Sequence, residues 1–224
     1  MQINSDLSQR VVIDSNELPW SLSPMAGVER RMLDRVAAES GRATSLVRYA
    51  PETSFPMHGH PRGEEILVLS GTFSDGDGDY PAGSYLRNPP GSQHAPSSTQ
   101  GCVLFVKLNQ FSPLDEEEVR LDTRQARWLP GLVPGLSVMP LHEFEGEHSA
   151  LVRWAPGTIF NRHRHWGGEE ILVLEGVFED EYGTYPAGTW LRSPRWSRHT
   201  PFTGPEGALI YVKIGHLGAV TLPP

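Results

Sequence analysis

The chain has 224 residues, with 27 acidic against 19 basic side chains, a formal charge of −8 and a pI near 5.6. An acidic surface repels phosphate backbones and no basic stripe offsets it, so nucleic acid is not an expected partner. The first residues form neither a basic nor an apolar leader, and no apolar run approaches the roughly 18 residues of a membrane span, so a soluble cytoplasmic protein without a membrane partner is expected.

With 23 glycines and 20 prolines, the chain reads as many short strands joined by tight turns. The exception comes first: Pro24–Ser40, with Arg30-Arg-Met-Leu-Asp-Arg-Val36, reads as a short helical segment. Thr53–Met57 and Glu64–Leu69 then read as strands, with Gly71 closing the second. Ile66-Leu-Val-Leu69 is apolar at every position, which predicts a strand buried on both faces, one lining a barrel and the other against a second sheet. Asp75-Gly-Asp-Gly-Asp79 imitates the start of a calcium loop. Tyr80 stands where the loop needs glycine, and Leu86 where it needs glutamate, so the segment is expected to be a hairpin turn. Cys102, the one cysteine, lies in the apolar run Cys-Val-Leu-Phe-Val and reads as a core residue in a reducing compartment. The acidic stretch Ser112–Glu118 reads as a linker.

Beyond the linker the pattern starts again. Arg48–Pro96 and Arg153–Pro201 align without a gap at a spacing of 105 residues, and 28 of the 49 aligned positions are identical. Each copy is too long for a solenoid repeat, so each is a domain: 1–112 and 113–224. The expected architecture is all-β, two small tandem barrels preceded by the short helical segment.

Each copy carries the same polar constellation. The first has His58-Gly-His60, Glu64 and His94; the second has His163-Arg-His165, Glu169 and His199 at identical spacings. Residues two apart on a strand share a face, so each His-x-His pair projects into one barrel, where the glutamate joins it across a short turn. Between the copies Met57, Gly59 and Pro61 became Arg162, Arg164 and Trp166 while the candidate ligands stayed. Three neutral imidazoles and a carboxylate suit Zn, Fe(II), Mn, Ni or Co. Glu65 and Glu170 point to the opposite face and are expected to pair with Arg87 and Arg192, whereas His142, His148 and His216 have no ligand-spaced partners. No side chain is singled out as catalytic.

These residues resemble the two cupin motifs, G-x5-H-x-H-x3/4-E-x6-G and G-x5-P-x-G-x2-H. The second copy follows the first motif from Gly157 to Gly176, while the first copy has Glu52 in place of the leading glycine. The roles reverse in the second motif, where Trp196 replaces the glycine found at Gly91, which predicts a distorted turn before His199. The phrases Arg-Tyr-Ala-Pro, Gly-Glu-Glu, Val-Leu-x-Gly and Tyr-Pro-Ala-Gly are similar to the ChrR-type cupins, the cupin part of zinc-dependent anti-sigma factors. The resemblance implies two tandem cupin (jelly-roll) barrels. It also implies metal ligands at His58, His60, Glu64, His94, His163, His165, Glu169 and His199, with zinc first and Fe(II), Mn or Ni as alternatives. A small ligand bound or sensed at the metal follows from it, as does a sigma factor as partner. The helical domain with a His-x3-Cys-x2-Cys zinc motif that such factors use to hold sigma has no counterpart in these residues. Related cupins include Fe(II) dioxygenases that cleave diketones or hydroxyketones, the alternative function. A strand buried on both faces also leaves room for a homodimer.

Overall fold

A computed structural model describes residues 1–218. Every regular element among them is a β-strand, and no helix is long and apolar enough to cross a membrane. The strands form two compact units, Met1–Ser5 with Leu18–Ala126, and Asp6–Glu17 with the chain from Arg127 onward. Residues 113–126 complete the first, and residues 6–17 belong to the second.

In the first unit the sheet runs Val119–Asp122, Ser84–Asn88, Glu64–Asp75, Cys102–Leu108, Ala43–Tyr49, Val28–Arg35 and Ser21–Leu22, all antiparallel. In the second the order is Val11–Asp14, Thr189–Ser193, Glu169–Asp180, Ala208–Ile214, Glu147–Trp154, Leu136–Phe144 and Leu129–Pro130. The same order with the same pairings is what a duplication produces. A separate two-stranded ladder in each unit carries the histidines: His58–His60 with Ser92–His94, and His163–His165 with Ser197–His199.

Side chains alternate about each sheet. Inside the first unit, Val28, Tyr49, Ile66, Val68, Phe73, Leu86, Leu104 and Val106 form one cluster, and Cys102 lies buried within it as a core residue. Trp154, Ile171, Val173, Phe178, Leu191 and Ile210 repeat that cluster in the second. At roughly 1.5–3 kcal/mol per fully buried large aliphatic or aromatic side chain, these interiors are the main stabilising term. In the run Ile66–Leu69 the first three residues are 1–3% exposed and Leu69 is half-buried, so the strand is buried on both faces as far as Val68.

Two expectations change. The segment read as helical is the strand Val28–Arg35, and no helix forms there. A β-bulge shifts its register between Met32 and Asp34, so that Leu33 is extra. That one inserted residue breaks the period of two and leaves an apolar spacing that imitates a helical turn. Nor does Gly71 close its strand, which continues to Asp75. Gly71 has φ of 72°, and a Cβ there would lie 2.1 Å from the Gly101 carbonyl oxygen, so the glycine permits a close crossing rather than an ending.

The two motif departures share one explanation. Gly157 (φ 70°) and Gly91 (φ 87°) are left-handed, and a Cβ at either would meet nothing within 4 Å. Their counterparts Glu52 and Trp196 adopt the same conformation, with φ of 58° and 63°. The turn before His199 is not distorted. Trp196 N–H donates to the His165 carbonyl at 2.7 Å, as Gly91 N–H donates to that of His60 at 2.9 Å. There is room for the side chain, and only the backbone is strained. Glu52→Gly and Trp196→Gly are each expected to raise stability by about 0.5–1 kcal/mol in denaturant unfolding, since strain of about 1–3 kcal/mol is relieved against a more flexible unfolded chain. Gly71→Ala, which meets backbone, should cost more than about 2 kcal/mol.

Candidate metal centres

The pairing of short ladders brings the histidines together. His94 lies directly across from His58, and His60 across from Ser92, so a register of three residues aims three imidazoles at one point. Glu64 enters from the first residue of the long strand after a turn in which Gly63 N–H donates to the His60 carbonyl at 3.2 Å. The Nε2 atoms of His60 and His94 are 2.9 Å apart, and Glu64 Oε2 lies 3.3 Å from the first and 3.4 Å from the second. In the second unit His165 and His199 Nε2 are 3.0 Å apart, with Glu169 oxygens 3.5 and 3.6 Å from them. One ligand atom from each of His58, His60 and His94 lies within 4.8 Å of the others, as does one from each of His163, His165, Glu169 and His199. Seven of the eight residues singled out in the sequence make up these two clusters, and Glu64 lies against His60 and His94 of the first; His58 and His163 are half-buried and the rest are buried.

The donor set fits a divalent cation. Bonds of about 2.1 Å put neighbouring ligand atoms about 3.0 Å apart at a right angle and about 3.4 Å apart at the tetrahedral angle, close to the 2.9–3.6 Å between these atoms. Tautomers are set from outside. His58 Nδ1 faces the Pro56 carbonyl at 3.1 Å, and His163 Nδ1 faces that of Asn161 at 2.9 Å. A carbonyl only accepts, so the proton sits on Nδ1 and the Nε2 lone pair is left for the centre.

Burial pushes the His60 pKa down to about 4, helped by the charge of His58. Burial also lowers His94, His163 and His165, so these rings are neutral and able to ligate at neutral pH. Burial raises Glu64, against the pull of His94 and of Asn88, whose Nδ2 donates to Glu64 Oε2 at 2.8 Å. Arg120 in turn holds Asn88 Oδ1 at 2.7 Å.

Two outer carboxylates escaped the reading of the sequence. Asp75 Oδ2 faces His94 Nδ1 at 3.6 Å, and Asp180 Oδ2 faces His199 Nδ1 at 3.4 Å. The hairpin expected at Asp75–Asp79 is present, with Asp75 paired to Gly78, but its first acid also lies beside a histidine. The missed signal was the spacing of 105 residues between Asp75 and Asp180. Asn88 gave no such signal, because its counterpart is Ser193.

Glu65 and Arg87 lie on the opposite face, where Arg87 donates to Glu65 at 3.5 Å and to Asp115, and Tyr85 donates to Glu65 at 2.8 Å. Glu170 accepts from Trp190 at 2.8 Å and faces His216 Nε2 at 3.0 Å, so His216 is a buried partner of a carboxylate. His142 is buried and His148 pairs with Glu143 at 3.5 Å, and neither joins a cluster.

The rooms beside the clusters differ. The first adjoins a cavity of about 410 Å³ lined by Tyr49, Phe55, Phe73, Arg30 and Arg35, among others. The second opens on about 170 Å³ lined by Arg10, Asp180, Tyr182 and Arg198, among others.

The protonation balance differs as well. Burial pulls the His199 pKa down, but Glu169, Asp180 and Glu181 outweigh it and raise it overall. A raised pKa means that protons compete for the ring at higher pH, whereas His60 resists protonation until about pH 4. On acidification the second centre should release its metal first. The midpoint of metal loss is expected at higher pH in His94→Ala, which reports on the second barrel, than in His199→Ala, which reports on the first. The reverse order would contradict the assignment.

Comparison with known proteins agrees with this fold. A structure assigned provisionally as a dioxygenase, from Nostoc punctiforme, superposes with a TM-score of 0.80 at 17% identity, covering 97% of this chain and 88% of that one. YlbA of E. coli gives 0.72 at 15%, covering 94% and 92%. A mutant of Bacillus subtilis oxalate decarboxylase gives 0.65 at 14%, covering 96% and 78%. At such identities these likenesses speak for the fold alone. No match was found among curated proteins. The family model of the ChrR cupin-like domain matches residues 8–112 and again 116–218. The chain belongs to the ChrR cupin-like family and holds two tandem copies of its domain.

Proposed function

We propose that the protein is a metal-binding bicupin that holds a divalent cation in each barrel and takes a small molecule at the one in the first. The supporting observation is the convergence of three buried or half-buried imidazoles and a carboxylate in each barrel, with Nε2 pairs 2.9 and 3.0 Å apart. A cation bound there would supply Lewis acidity and an exchangeable coordination position. The chain's own residues do the rest. The Pro56 carbonyl fixes the His58 tautomer, Asn88 turns Glu64 toward the centre, and Tyr49, Phe55 and Phe73 keep the first cavity largely apolar. Zinc is the ion favoured by likeness to the cupin half of anti-sigma factors, which is also the ground for a sensing role.

A second reading is an Fe(II) dioxygenase acting on a small diketone or hydroxyketone. The Nostoc neighbour and the cavity beside the first cluster favour it. Elemental analysis of protein purified without chelator separates these readings. About two equivalents of metal per chain are expected, falling to about one in His60→Ala and in His165→Ala. Zinc supports the binding role; iron with oxygen consumption on a diketone supports the second; only trace metal in the wild type overturns both.

A further inference from the structure

The bulge at Leu33 has a chemical consequence. Arg30 pairs across the sheet with Val47, Met32 with Ser45 and Arg35 with Ala43. Arg30 and Arg35 are five residues apart and would point to opposite faces of a regular strand; the inserted residue turns both into the barrel. Both line the 410 Å³ cavity that also holds His58, His60, Glu64 and His94. Their side chains are 18% and 5% exposed. Two cations on one wall of this largely apolar room are compensated sparingly. Glu39, 56% exposed, reaches Arg30 at 3.0 and 3.2 Å and Arg35 at 3.6 Å, while Arg35 Nη1 also donates to the Ala38 carbonyl. Arg35 Nε is buried with no hydrogen-bond partner. Burial and the charge of Arg30 together hold the Arg35 pKa below its ordinary value.

The second barrel is built on the same bulge without these groups. Leu141 is its extra residue, Val138 stands at the place of Arg30, and Glu143 stands at that of Arg35. Glu143 is 73% exposed and pairs with His148. The connection also differs. Glu145 and Gly146 make a two-residue turn between Phe144 and Glu147, whereas Arg35 and Ala43 are joined by the longer loop that carries Glu39. The arginine pair and the carboxylate that clips it are thus features of the first barrel.

Building on the metal-binding reading, we propose that the first barrel takes a small organic anion. Its carboxylate sits on Arg30 and Arg35, displacing Glu39, and its other end reaches the His58–His60–Glu64–His94 centre. A planar guanidinium fork matches a carboxylate's two oxygens, and pockets of a few hundred Å³ accommodate ligands of this size. Glu39 then acts as a tethered stand-in for the incoming anion.

Calorimetric titration of the full-length protein with malonate, using malonamide as the neutral control, tests this with and without added zinc. Arg30→Met should weaken malonate binding by about tenfold or more, with bound metal and the response to malonamide unchanged. Glu39→Gln, a change at an exposed side chain, should tighten malonate binding several-fold by removing the competing carboxylate. Equal malonate affinity in wild type, Arg30→Met and Glu39→Gln would overturn the proposal. If zinc fails to load, the metal-binding reading falls instead, and the effect of the two variants on the metal-free protein still decides whether the arginines hold an anion.

Discussion

Imidazoles buried side by side impose the constraint on which the rest of each barrel depends. Two Nε2 atoms about 3 Å apart, each with a carboxylate oxygen within 3.6 Å, are tolerable only if a proton or a cation lies between them. The surroundings suit a cation. Backbone carbonyls take up Nδ1–H of His58 and His163, burial keeps most of the rings neutral, and Asn88 turns the Glu64 carboxylate into the centre. The long strands supply a stiff wall, while the three-residue ladders set the aim of the histidines.

Duplication copied this arrangement, and later change fell on what surrounds it. The strained positions show how much change the frame bears. Glu52 and Trp196 each hold a conformation suited to glycine, and each side chain is exposed. The cavities have gone further apart. A shared bulge presents Arg30 and Arg35 in one barrel and Val138 and Glu143 in the other, so the same backbone offers a cationic wall in one copy only. The two centres thus share a frame while their cavities differ in size and lining.

The barrels and the eight residues at the two centres were legible in the sequence because they depend on short spacings: a period of two within His-x-His, a fixed step to the glutamate, and a repeat of 105 residues. Three features were not. The strand at Val28–Arg35 hid behind its bulge, since one extra residue is enough to replace alternation with a helical spacing. Asp75 was absorbed into a turn motif because nothing local shows that its carboxylate faces a histidine nineteen residues on. The compact units, too, draw on strands remote in sequence, with Val11–Asp14 in the second and Val119–Asp122 in the first. Pairings of that range are settled by the tertiary fold, and composition carries no trace of them.

Anomalous diffraction from crystals grown with a divalent metal, collected at its absorption edge, tests the central claim most directly. The account predicts one peak bounded by Nε2 of His58, His60 and His94 with Glu64, and a second bounded by His163, His165, Glu169 and His199. Empty density at both clusters, or metal held through Nδ1 with the rings reversed, would contradict it.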